Sequence, residues 1–384
     1  MPLPELPGTV PGALFALLAL QWWLTQRRIR RIEDLPDPSE GLELPTVCLC
    51  IPARNEVQEI GPALDSWLAQ DHPAVRIVVV DDGSTDGTSE ALAALAAARP
   101  DRLRVLRNDH LPAGWLGKNH ALHLAVQVPE ALAAEWLLFA DADVQAEPAL
   151  LRRAFTYLER RPADLLALCP AIDLGHWSEA LFLPMGAMGF LWLVPPERVA
   201  DPRSGAFCGI GAFTLIRRTA YSSIGGHAAA PMEAVDDMML ARRAKAAGFV
   251  NRVAMGGPGL HLRMYHGLAD IVRSMRKNAL AFPWVWGGAP LWIAAALALF
   301  ASPVLLALGG WPAAGLLLWL LWPAMVAEAH QRTGPRPVQP VWMLWPLAGP
   351  ILAAGLAWAF LDRLRGINHW RGRSVRLRAD PRRH

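Results

Sequence analysis

The chain has 384 residues, of which 53% are hydrophobic and 17 are Trp, and it carries a formal net charge of +3. With a mean hydropathy of +0.23 and a pI near 8.8, this composition is too apolar for an ordinary soluble enzyme, and the basic excess suits anionic lipid better than nucleic acid. Cys48, Cys50, Cys169 and Cys208 lack paired-ligand spacing, which excludes a disulfide framework or a zinc site.

Taken in chain order, Gly8 to Leu24 is a short apolar anchor candidate, followed by the basic flank Arg27-Arg28-Ile29-Arg30-Arg31. No basic segment or small-residue cleavage site precedes it, so it reads as an uncleaved anchor with residues 27 onward on the cytosolic side. Residues 32–45, with Pro36, Pro38 and Pro45 among acids, read as a linker. A strand is predicted over Val47 to Ile51, a helix over Ile60 to Ala69, a strand over Val75 to Val80 and a helix over Ser89 to Ala98. Further strands over Arg102 to Arg107 and Trp136 to Ala140 complete a β-α-β-α rhythm, which implies a doubly wound sheet with ligands at the carboxyl ends of its strands. The polar motifs all fall at that edge. Alternation along an extended chain would point Asp141 and Asp143 to one side, where two hard carboxylates suit Mg2+ or Mn2+; Asp as a turn former is the plainer alternative. Lys118 lies in a Gly-containing loop before a helix, a setting for phosphate, with a solvated lysine as the alternative.

Five motifs in this order, Pro52-Ala53-Arg54-Asn55-Glu56, VVVDDGSTDGT at 78–88, GWLGKNHA at 114–121, Asp141-Ala142-Asp143 and VDDMMLARRAKAAGF at 235–249, resemble those of membrane-associated family 2 glycosyltransferases. The GWLGK loop is similar to the branch acting on polyisoprenoid lipids, including hopanoid-associated and carotenoid glycosyltransferases. The resemblance implies an α/β GT-A (Rossmann-like) domain over residues 46–281, a nucleotide-sugar donor such as UDP-glucose, a divalent metal and inverting transfer to a lipid acceptor in the bilayer. It places Pro52, Ala53, Asn55 and Glu56 against the nucleoside and Asp82 on the uracil ring. Asp141 would meet the ribose and share the metal with Asp143, the firmer ligand of the two. Asp237 matches the family's general base; Asp236 stands where a Glu is usual. Two adjacent carboxylates raise each other's pKa, as a base near neutral pH requires, although both would also suit the first turn of a helix over Met238 to Ala247. Gly209, Gly211 and Ala212 fall on the acceptor side, where packing glycines are an equal alternative.

Leu181 to Val194 is apolar and irregular and reads as an interfacial helix. Arg273 and Arg276 share a helix face and either clamp the departing diphosphate or form the positive flank of a membrane segment. The Arg-x-x-Arg-Lys pattern lacks the Gln and Trp of processive synthases. Residues 282–361 hold three apolar stretches, near 284–308, 311–327 and 341–361, and the Arg-rich tail 362–384 favours a cytosolic end, hence two full crossings and one re-entrant segment. A nucleotidyltransferase of similar fold, a polysaccharide synthase and a catalytically silent membrane scaffold are the alternatives. The first lacks its Gly-rich basic loop here, and the last sits poorly with four placed aspartates.

Overall fold

The computed structural model describes residues 9–280, 289–331, 340–365, 367–370 and 373–376. It divides into two compact units, a sheet unit from 31–173 and 194–264 and a helical unit from the remaining segments.

The sheet unit is built on β1 (Glu33–Asp34), β2 (Val47–Ala53), β3 (Val75–Asp81), β4 (Leu103–Arg107), β5 (Trp136–Phe139), β6 (Gln145–Ala146), β7 (Leu165–Ile172), β8 (Thr214–Arg217) and β9 (Asn251–Leu262). Their order is β1-β9-β7-β8-β5-β2-β3-β4, with β6 pairing β9. Alternation in β2 sends Leu49 and Ile51 to one apolar layer and Cys48 and Cys50 to the other. Helices cover both faces, which is why the strand reads as a continuous apolar run. All four cysteines are thiols, and Cys48 and Cys50 are fully buried.

Strands β2 to β5 are parallel, and the chain passes from β2 outward through β3 and β4 before returning to β5 on the other side. A topological switch point therefore lies between β2 and β5, where loops diverge and leave a crevice. The sheet is mixed, because β8 runs antiparallel between β5 and β7. An antiparallel strand begins at the edge where its parallel neighbours end, so the residues entering β8 arrive beside the end of β5.

The segment expected to be a linker is instead part of the domain. Glu33 and Asp34 pair with Ala254 and Met255, Leu35 is buried, and Arg153 donates 2.8 Å to the Leu35 carbonyl. The short pairing strand caps an otherwise open sheet edge.

The helical unit contains helices Thr9–Ile29, Trp177–Leu193, Leu268–Leu280, Ala289–Leu308, Pro312–Gln331 and Ala348–Leu364. Leu268–Leu280 thus groups with the helices and not with the sheet domain to which the sequence assigned it. Phe300, Trp322 and Trp345 form its centre, with the Trp322 and Trp345 rings stacked at 5.2 Å. A Cβ on Gly315 would run into the Pro303 carbonyl, so the absent side chain lets two helices meet closely. Among the described residues one helix, Pro340–Asp362, is long and apolar enough to cross a membrane; the apolar stretches Leu297–Leu308 and Pro312–Ala327 are shorter. Many large apolar side chains here face outward, including Leu17, Leu291, Leu308, Leu316 and Leu347, each more than 60% exposed. The tail carries a hairpin pairing Ile367–Trp370 with Arg373–Arg376, and residues 377–384 lie outside the described residues.

Candidate active site

Two loops meet at the ends of β2 and β3. Asn55 adopts a left-handed backbone (φ 53°), a conformation Asn tolerates better than most residues. Its amide donates 3.0 Å to Ser84 Oγ, and its Oδ1 accepts the Thr85 amide at 2.9 Å. The Glu56 amide donates 2.8 Å to Thr88 Oγ1, and Arg54 donates to the carbonyls of Asp82 and Gly83. The loop of residues 52–56 is thereby laced to the DDGSTDGT turn.

The two aspartates of that turn do different things, and neither caps the helix Thr88–Ala98, whose N-cap is Gly87. Asp81 accepts the Ser84 amide at 2.9 Å, takes a hydrogen bond from Ser89 and pairs with Arg107 at 3.4 Å, so it holds the turn. Asp82, also buried, accepts 2.7 Å from Asn108 Nδ2, which in turn touches His120 Nδ1 at 3.2 Å. Burial lowers the His120 pKa despite the nearby Asp82 charge, which favours the neutral ring.

The centre of the site is a charge cluster in the crevice at the switch point, in a small cleft lined by Pro52, Lys118, Asp141, Gly211, Asp236 and Asp237. Lys118, second residue of the helix Gly117–Ala125, places its ammonium 2.7 Å from Asp141 Oδ1 and 3.0 Å from Asp236 Oδ1. Burial works against its charge, but Asp141, Asp236 and Asp237 together outweigh burial and raise its pKa well above the lysine range. The helix Asp236–Ala246 supplies both acids at its first two positions, and Val235, not either Asp, is its N-cap. Their titrations separate. Burial favours protonating Asp236, yet Lys118 and His227 overrule it and hold the carboxyl well below its usual range. Burial and the Asp236 charge push Asp237 up to about 6, against the pull of Lys118 and of the Met238 amide, which donates 2.7 Å to Asp237 Oδ1. Mutual repulsion alone predicts a rise in both; the ammonium on one side makes the pair unequal.

Gly209 and Gly211 are both sites of close approach. A Cβ on Gly209 would penetrate the Asp237 carbonyl, and one on Gly211 would lie 2.6 Å from Asp141 Oδ2 and 3.6 Å from Asp237 Oδ2. The Asp141 amide donates 3.0 Å to the Gly211 carbonyl, fixing the end of β5 against the start of β8. Ala212 is buried in the core beneath them.

β5 ends at Phe139, so Asp141 to Asp143 form a turn and not an extended strand, and the alternation argument for a shared face does not apply. Among the described residues no three His, Cys, Asp or Glu side chains converge on one point. Two carboxylates one residue apart still suit Mg2+ or Mn2+, which retain waters and take donor phosphates as further ligands. Arg273 and Arg276 belong to the helix Leu268–Leu280 of the other unit; Arg273 is exposed and 3.4 Å from Asp270, and the Arg276 side chain lies outside the described residues.

Several contributors were not singled out from sequence. His227 is fully buried, 3.9 Å from Asp236 Oδ2 through Nε2 and 2.9 Å from the Tyr221 hydroxyl through Nδ1. Asn119 donates 2.8 Å to the Glu233 carbonyl and reaches those of Ala230 and Pro231, while the Leu116 amide donates 2.9 Å to Pro231. The Lys118 helix and the segment leading to Asp236 are thus clamped together. Asn119 sits beside Lys118 in the GWLGKNHA motif, a signal within reach; His227 has no local pattern that marks it.

A mixed sheet with laced loops and a carboxylate-lined crevice at its switch point defines a GT-A-like domain. Residues 48–225 match the model of glycosyl transferase family 2. Among curated proteins it is similar to 4,4'-diaponeurosporenoate glycosyltransferase of Staphylococcus aureus, at 26% identity over 219 residues in strain USA300 and 27% over 222 in strain MRSA252. Each match covers 56% of this chain and 56% of the relative, so the chain spans about half the length of the curated relatives it matches. Among solved structures it resembles a mannosyltransferase of Pyrobaculum calidifontis in complex with GDP-Man and Mn2+, with TM-score 0.55, 19% identity and coverage of 92% of this chain and 96% of that one. That likeness concerns the fold.

Proposed function

We propose that this protein is an inverting glycosyltransferase that moves a sugar from a nucleotide-sugar donor, UDP-glucose in the first instance, to a hydroxyl of a membrane lipid of polyisoprenoid, carotenoid or sphingolipid type. The observation that carries this reading is Asp237, a carboxylate at the crevice beside Asp141 whose pKa of about 6 leaves it ionised at neutral pH yet basic enough to accept a proton. The acceptor oxygen bonds to the anomeric carbon as the bond from that carbon to the diphosphate breaks. The electron pair leaves with the nucleoside diphosphate, and the acceptor proton passes to Asp237. One displacement inverts the anomeric centre.

In this reading Asp82, oriented by Asn108, accepts from the base, with Pro52, Ala53, Asn55 and Glu56 forming the nucleoside wall. Asp143 and Asp141 would hold Mg2+ or Mn2+, which when bound would offset charge on the leaving group. Lys118 serves the diphosphate, and Gly209 and Gly211 admit the acceptor. Asp236 stays ionised on Lys118 and keeps its neighbour basic.

The outward apolar side chains of the helical unit and the span-length helix Pro340–Asp362 support membrane association, and in this reading the sheet unit lies in the cytosol where nucleotide sugars are made. The carotenoid substrate in the relatives' name supports a lipid acceptor. A donor screen on detergent-solubilised full chain, scoring UDP or GDP release with and without lipid extract, tests the reading. Lipid-dependent release from one donor supports it, and lipid-independent or absent release across all donors overturns it.

A further inference from the structure

Lys118 faces two anions at once, and they have different prospects. Asp236 is held in place by its helix and by the buried His227, whereas Asp141 is 39% exposed at a turn and is one of the two carboxylates suited to a divalent cation. An ammonium 2.7 Å from Asp141 Oδ1 and a divalent cation on the same carboxylate repel each other. The backbone beneath Lys118 has little freedom, since Leu116 and Asn119 tie it to residues 230–233. Its side chain has a flexible four-carbon stem and can turn without moving the helix. The first turn of that helix has no side-chain cap, and its amides and dipole favour an arriving anion.

We propose that Lys118 is a positioning residue that couples cation binding to donor binding: it occupies Asp141 in the unliganded protein, holds cation affinity low there, and is drawn off by the diphosphate of an arriving nucleotide. The inference rests on the reading above that Asp141 and Asp143 take the cation. A two-carboxylate site otherwise binds Mn2+ from solution without a donor. The Lys118 pairing prevents this, so the complex forms with cation and nucleotide together, and Lys118 passes from a carboxylate to a phosphate while keeping Asp236.

The test titrates Mn2+ into the full chain in detergent, reading unbound Mn2+ by electron paramagnetic resonance, with and without UDP. For the wild type, weak binding of Mn2+ alone and clear tightening with UDP are expected. Lys118→Gln is expected to bind Mn2+ alone about tenfold or more tightly than wild type, since a repelling charge is gone, and to show a smaller UDP effect. A merely structural loss would not increase affinity. Unchanged or weaker binding of Mn2+ alone by Lys118→Gln overturns the coupling, and if wild type still binds Mn2+ with UDP the metal reading survives it. Failure of wild type to bind Mn2+ even with UDP removes both. Should Lys118→Gln not fold, Asp236→Asn carries the test in the opposite direction: Lys118 then bears on Asp141 alone, so Mn2+ binding should weaken, and tighter binding overturns the proposal.

Discussion

Replacing Asp237 by Asn should make the protein more stable and nearly inactive. Asn is almost isosteric, and its side-chain oxygen still accepts the Met238 amide, so the change removes a charge and little else. That charge is costly because burial and Asp236 raise the Asp237 pKa from 3.8 to about 6. Two units correspond to about 3 kcal/mol, and partial exposure of the carboxylate to water reduces this to about 1–2 kcal/mol. The sign follows from proton binding: the folded state holds the proton more tightly than the unfolded state. The penalty is therefore absent below about pH 4, grows between 4 and 6 and is complete above 6. Thermal unfolding of both proteins across pH 3.5 to 8 should show Asp237→Asn melting a few degrees higher at pH 8 and the two converging near pH 4. Turnover should fall about 10²–10⁴-fold with donor affinity little changed, and wild-type turnover should rise with pH through about 6. A pH-independent stability difference, or a defect of only two- or threefold, refutes the reasoning. So does an α-linked product from an α-linked donor, even if Asp237 proves essential.

Further outcomes are expected elsewhere. Asp143→Asn, or EDTA added to wild type, should abolish transfer while circular dichroism stays unchanged; full activity in either removes the metal assignment. Gly211→Ala should cut turnover tenfold or more with the fold intact, because its Cβ would lie 2.6 Å from Asp141 Oδ2. Gly209→Ala meets backbone and should instead destabilise by about 1–3 kcal/mol, seen as a lower denaturant midpoint. A reporter fused after His384 should behave as cytosolic, and labelling of a tail cysteine by an impermeant reagent in intact cells would contradict this.

The N-terminal half of the sheet is legible because its strands are short, largely apolar runs closed by turn formers. Val75–Asp81 and Leu103–Arg107 fall within a residue or two of expectation. β7 and β9 are not legible in the same way, since Pro170 and Pro258 interrupt them and a register shift is needed between Cys169 and Ala171. The unequal pair Asp236 and Asp237 also escapes local reasoning. Its asymmetry comes from Lys118, more than a hundred residues earlier, and from His227, whose importance is visible only once Tyr221 and Asp236 flank it. The two glycines are the intermediate case: the sequence marks them, but only the approach of Asp237 and Asp141 tells why no side chain is tolerated.

The antiparallel placement of β8 also constrains how the chain is made. As it emerges from the ribosome, β2 to β5 are complete by Phe139, yet β5 keeps one edge unpaired until synthesis reaches Arg217. Through that interval Asp141 lacks the Gly211 carbonyl, and Lys118 lacks Asp236. The nascent domain must carry an open apolar edge and a half-neutralised charge while an apolar helix, Trp177–Leu193, is being delivered between them. Truncations ending between residues 140 and 217 should consequently aggregate or be degraded, whereas those ending beyond β9 should accumulate as folded protein.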